Sequence, residues 1–175
     1  MASILAAFGA GLSFFLARDG AWYHALGGLL VGLSGAADAL DGIVARLHGR
    51  ATHLGEFLDH FGDRLGEVAI LGGLALSPGA SFELGAVVVV LTLLTAYLGT
   101  QVEATFGVRD YSGPGRAEQI VALVVFAFVR AAWPTLAIPL PGGSLSLPNA
   151  FLGGLGFGTL VAIAHRLLQA RALAA

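Results

Sequence analysis

The stretch Asp38-Ala39-Leu40-Asp41-Gly42-Ile43-Val44-Ala45-Arg46, followed eight residues later by Gly55-Glu56-Phe57-Leu58-Asp59-His60-Phe61-Gly62-Asp63-Arg64, decides how this chain is read. It holds four of the chain's six aspartates, each in or beside a long apolar run. The spacings are three in the first pair and four in the second, which puts each pair on one face of a helix. A carboxylate inside a membrane segment costs roughly 2.5–3.5 kcal/mol on insertion scales. Four placed this way call for a cation, and a divalent metal is the direct candidate.

The surrounding chain explains why a membrane is the expected setting. Of its 175 residues 57% are hydrophobic and 11% charged, with a mean hydropathy of +0.83. A soluble domain carries about 25% charged residues. At roughly 20 residues per span there is room for about six helices. The 26 glycines suit close packing of such helices. There is no cysteine, so disulfides and thiolate ligands are excluded. All nine cations are arginine, and the net charge of −2 gives no footprint for nucleic acid. The first apolar run has no basic residue ahead of it, unlike a signal peptide.

Six apolar segments are predicted, at about 2–17, 21–40, 55–76, 82–105, 117–133 and 149–169, forming one domain over residues 1–175. The break from Pro134 to Pro148 is rich in Pro and Gly and is read as holding a short interfacial hairpin. Arg46, Arg50, Arg109, Arg116, Arg166 and Arg171 fall on one side of such a bundle, and Arg18 and Arg130 on the other. The imbalance predicts both termini, and the loop between segments two and three, in the cytoplasm. Trp22, Tyr23 and Trp133 then fall at the outer interface. The fold class expected is therefore an all-α integral membrane protein of six transmembrane helices.

Segments two and three, antiparallel and joined by a short loop, are expected to be neighbours presenting two carboxylates each. Together Asp38, Asp41, Asp59 and Asp63 suit one or two hard cations such as Mg²⁺, Mn²⁺ or Ca²⁺. Two metals there would clamp a diphosphate. Gly42 and Gly55 leave room for phosphates, and Arg46 could bind a phosphate oxygen. Taken singly, Gly42 also reads as a packing residue and Arg46 as an interfacial anchor. Arg64 and Glu67, one turn apart, read as an internal ion pair. His60 points elsewhere on the helix than its flanking aspartates and is not expected to be a ligand.

The string D-x2-D-G-x2-A-R-x8-G-x3-D-x3-D, from Asp38 to Asp63, resembles the signature of the CDP-alcohol phosphotransferase family at every motif position. The resemblance implies a metal-dependent enzyme of phospholipid synthesis. It would move a substituted phosphate from a CDP-linked lipid to the hydroxyl of a small alcohol and release CMP. Asp38, Asp41, Asp59 and Asp63 are implied as ligands of two Mg²⁺ or Mn²⁺ ions, with Asp63 also the general base. Gly42, Arg46 and Thr52 are implied as donor contacts, and Ala45 and Gly55 as close-packing positions beside the nucleotide. A homodimer in the cell membrane, with its active site facing the cytoplasm, is implied too.

The acceptor is less defined. Relatives that use inositol phosphate carry further cations near the end of helix four and the start of helix five. Here Arg109 and Arg116 are present, but Gly99, Gln101 and Gln119 stand where others are expected. That lowers inositol phosphate relative to glycerol phosphate, serine or another small alcohol. The family's N-terminal amphipathic helix and Thr-bearing segment are not seen before helix one; a chain starting at Met1 is expected to bind donor more weakly. Two rival readings use the same aspartates. A membrane prenyltransferase also holds a lipid diphosphate through metal, but is longer and lacks the Gly-x2-Ala-Arg element. An ion- or proton-coupled transporter would use the carboxylates as a relay, and usually shows paired repeats that this chain lacks.

Overall fold

The computed structural model describes residues 2–47, 53–108 and 116–174. Among them are six helices: α1 Ala2–Leu16, α2 Trp22–Leu47, α3 His53–Ala75, α4 Phe82–Phe106, α5 Arg116–Ala132 and α6 Leu147–Leu173. Between α5 and α6 lies the expected hairpin, β1 Ala137–Leu140 paired antiparallel with β2 Gly143–Ser146. Pro141 and Gly142 make its turn. Gly142 has φ 88°, a left-handed conformation that glycine adopts without a Cβ penalty.

Local chemistry sets the helix ends. Ser81 caps α4 by accepting from the Leu84 amide at 3.3 Å. The helix stops at Gly107, φ 68°, whose amide donates to Glu103 O. Ser146 caps α6, with proline in its first turn. Asn149 Oδ1 accepts from the Ser81 amide at 2.7 Å, tying the starts of α4 and α6 together.

The chain of packed neighbours runs α5–α2–α1–α3–α4–α6, while α5 and α6 touch only sparingly. Small residues set these contacts. Gly28, Gly32 and Gly35 of α2 face Ala127, Val124 and Ile120 of α5, so these helices are antiparallel. Gly11 of α1 and Gly73 of α3 meet backbone to backbone, and a Cβ on either would strike the other helix's main chain. The core, built on Phe14, Val31, Leu74, Val88, Phe126 and Leu152, draws on all six helices.

Two findings refine the sequence reading. The expected direct packing of α2 on α3 is replaced by a wedge: α1 lies against both, and α2 and α3 scarcely touch among the described residues. Loop connectivity alone made them neighbours; the glycine seam between α1 and α3 displaces that contact. Secondly, α2 continues to Leu47, past the predicted end near residue 40. Its 26 residues span about 39 Å, against roughly 30 Å of hydrocarbon. Asp38 and Asp41 thus stand inside the helix and not in the loop that follows it.

The exterior is apolar. Phe82–Phe106 and Leu147–Leu173 are long and apolar enough to cross a membrane, and only 17% and 22% of their apolar windows are buried. Core helices of soluble proteins would be covered. Leu5, Val90, Val121 and Phe157 are each more than 60% exposed, as lipid-facing side chains are. Trp22 and Trp133 are likewise exposed, at the end of the bundle away from the aspartates.

Candidate functional site

Alternation of direction brings the site together. α1, α3 and α5 begin at one end of the bundle, where α2, α4 and α6 finish. On α1, Ser3 O accepts from Ser34 Oγ of α2 at 2.8 Å, and Ile4 packs over Gly62 of α3. Asp38 follows Ser34 by one turn, and Asp59 precedes Gly62. The carboxylates therefore converge just past the end of the wedge, where α2 and α3 face each other without α1 between them.

Asp38, Asp59 and Asp63 each offer a carboxylate oxygen, and the three oxygens lie within 4.8 Å of one another. Asp59 is exposed, and Asp38 and Asp63 are half-buried. Three like charges this close repel, and a cation among them reverses the sign of the interaction. The donors are all hard oxygens, so the set fits Mg²⁺ or Mn²⁺ and not a soft metal. Asp41, the fourth expected ligand, is exposed on α2 and stands outside this group.

Arg64 donates to Glu67 Oε2 at 2.6 Å, the ion pair expected from their spacing. Gly55 is exposed in the first turn of α3. Thr52 and Arg109 lie outside the described residues, as do the side chains of Ala45, Arg46 and Arg116 and the surroundings of Gly42.

Sequence reasoning missed a cation. Arg166 of α6 was visible only as an orientation marker, and Gly99 only as a lost charge. In the fold the Arg166 guanidinium lies against Gly99, in the space a side chain there would fill, and donates to Thr95 O. It lines a groove of about 570 Å³ with Glu118, Gln119, Thr159 and His165. Gln119 and Leu155 are shared with a small internal cavity that Ser34, Gly66 and Glu67 also line. Polar side chains thus run from α3, one turn past Asp63, toward the open α5–α6 side. Only the pairing of α4 with α6 could have revealed this, and no sequence spacing encodes it.

A helical membrane protein with a cluster of carboxylates from two helices that could hold a hard cation is the class that fold and site define. Within it, this chain belongs to the CDP-alcohol phosphatidyltransferase family, whose profile matches residues 1–155. It is 29% identical over 100 residues to inner membrane protein YnbA of Escherichia coli, covering 57% of this chain and 50% of that protein. It is 28% identical over 107 residues to the archaetidylinositol phosphate synthase of Pyrococcus horikoshii, covering 61% and 57%. It is 30% identical over 128 residues to the phosphatidylinositol phosphate synthase of Cutibacterium acnes, covering 65% and 62%. The matches thus span half to about three fifths of these curated relatives. The fold is similar, with a TM-score of 0.72, to the crystal structure of Mycobacterium tuberculosis phosphatidylinositol phosphate synthase with CDP-DAG bound. That match is 21% identical and covers 97% of this chain and 84% of the other.

Proposed function

We propose that this protein transfers a substituted phosphate group, phosphatidyl or archaetidyl, from a CDP-linked lipid to the hydroxyl of a small alcohol, releasing CMP. The meeting of Asp38, Asp59 and Asp63 carries this reading, together with family membership. The solved relative with CDP-DAG bound supports the donor class.

Asp38, Asp59 and Asp63 would hold one divalent ion, and Asp41, one turn along α2, would complete the set around a second. Bound there, the metal would neutralise the donor's diphosphate and make its phosphorus more electrophilic. Gly42 and Gly55 would leave room for the nucleotide, with Arg46 and Thr52 as polar contacts to it and Ala45 packing beside it. Asp63 is the base. Unlike Asp59 it is half-buried, and it lies on the side of α3 that leads to Glu67 and the internal cavity. It takes the proton of the acceptor hydroxyl as that oxygen bonds to the lipid-linked phosphorus. The bond from phosphorus to the CMP oxygen breaks, and CMP leaves with the electron pair. The acceptor would approach through the groove of Gln119, His165 and Arg166, and Arg109 and Arg116 are proposed as further acceptor contacts.

The active unit is proposed to be a homodimer, with six membrane-crossing helices and with both termini and the site facing the cytoplasm, where CTP-derived donors arise. The test is CMP release by purified protein given CDP-diacylglycerol, Mg²⁺ or Mn²⁺, and a panel of inositol phosphate, glycerol phosphate and serine. CMP release that needs both metal and one acceptor is expected. No CMP with any acceptor, from protein that still binds metal, would sink the reading.

A further inference from the structure

The far end of the bundle buries a second polar group that the proposed reaction does not use. His24 in the first turn of α2 is 2% exposed, Arg130 in the last turn of α5 is 8%, and Ser77 in the α3–α4 turn is 4%. Ser77 Oγ and Arg130 Nε are buried without a hydrogen-bond partner among the described residues, and neither His24 ring nitrogen has one of good geometry, although the Ala21 backbone lies close enough to act on the ring. Among the described residues Arg130 makes one bond, from Nη2 to Pro78 O at 3.1 Å, next in sequence to Ser77. No carboxylate reaches it within ion-pair distance among the described residues. The acidic residues at this end, Asp19 and Glu83, are exposed, and Glu83 accepts from Ser81 Oγ at 2.8 Å. The antiparallel packing of α2 on α5 brings His24 level with Arg130, whose charge acts on it.

A guanidinium stays charged at any working pH. Burying it without a counter-charge is costly, and the carbonyls at the end of α5 offset only part of that. Water would fill the empty hydrogen bonds but leave the charge. Each group can turn a donor toward a shared ligand, through Arg130 Nε–H, the Ser77 hydroxyl and one His24 N–H, and the guanidinium sets the sign of the charge that ligand must carry. The surroundings, Phe14 and Leu74, are fully buried and apolar, which disfavours a bulky, multiply charged species. We infer that His24, Ser77 and Arg130 form a binding site for a small monovalent anion of the chloride class, joining α2, α5 and the α3–α4 turn. The site lies about 20 Å along α2 from Asp38 and does not depend on the proposed reaction.

The test compares thermal unfolding of the purified full chain in chloride, bromide and gluconate at matched ionic strength, with equilibrium dialysis against radiolabelled chloride. Chloride and bromide are expected to raise the midpoint saturably, by roughly 5–10 °C at about a hundred times the dissociation constant. Gluconate should not. Arg130→Gln should abolish both the shift and the bound label. If that variant does not fold, Ser77→Ala and His24→Gln are each expected to weaken chloride binding severalfold. Equal midpoints in chloride and gluconate with no bound label would overturn the proposal. So would chloride binding unchanged in Arg130→Gln, or in both replacement variants.

Discussion

At the scale of single residues, the four aspartates divide. Their spacing made the pairing on helix faces legible, because a helix turns by 3.6 residues whatever surrounds it. That spacing does not say how far apart the two faces stand. The answer came from α1 and placed Asp41 outside the close group. Different variants should therefore fail differently. Asp63→Asn is expected to lower turnover by about 10²–10⁴, with no recovery at high Mn²⁺, because it removes the proposed proton acceptor. Asp38→Asn keeps the proposed base, so it should raise the metal concentration needed for half-maximal rate and recover partly as Mn²⁺ increases. Metal titrations of the initial CMP-release rate separate the two. Equal rescue of both would remove Asp63 from its role as base. In the same titration Asp41→Asn should shift the metal requirement less than Asp38→Asn, since Asp41 is exposed and apart.

Helices were the most legible level. All six segments appear near their predicted positions, as does the hairpin between Pro134 and Pro148, because apolar length and Pro-Gly turns are local signals. Their partners were not legible, because a glycine advertises close packing without naming its neighbour. Gly11 and Gly73 show what was hidden: they let α1 sit between α2 and α3 and so set the gap in which the carboxylates meet. Adding side chains there should cost more than packing energy. Gly11→Val places a Cβ against the Ala69 carbonyl and is expected to destabilise the fold by about 1–3 kcal/mol, as overpacking does. The midpoint would fall by roughly 2–4 °C for each kcal/mol. Gly72→Ala is the control, since its Cβ meets open space, and it should leave the midpoint unchanged or raise it by a few degrees at most. Differential scanning fluorimetry in detergent reads both. Comparable losses in the two variants would show that the α1–α3 seam is not what governs them, since helix propensity favours both replacements.

For the whole molecule, the decisive feature is that the packed series of helices opens between α5 and α6. An apolar groove of about 740 Å³ lies along that opening, lined by Val121, Val125, Phe126 and Phe151. The groove of Arg166 and His165, more polar than the first, adjoins it, sharing Glu118, Ala122 and Phe151. A reaction joining a lipid to a water-soluble alcohol needs these two kinds of surface side by side. Arg166 then becomes the residue through which the acceptor's charge can be tested. It reaches the groove from α6 across Gly99, so a cation is supplied where the linear sequence showed only a missing one. A phosphorylated acceptor would gain a charge-assisted hydrogen bond there, of about 1.5–3 kcal/mol. Arg166→Gln is accordingly expected to raise KM for such an acceptor by roughly 10- to 150-fold. KM for serine should change by less than about threefold, and metal-dependent thermal stabilisation should be retained. Because Arg166 also bonds Thr95 O, a general loosening of α4 on α6 would raise KM for every acceptor and lower the midpoint. Only a loss confined to phosphorylated acceptors assigns the guanidinium to their phosphate. A uniform loss would return the acceptor's charge to Arg109 and Arg116.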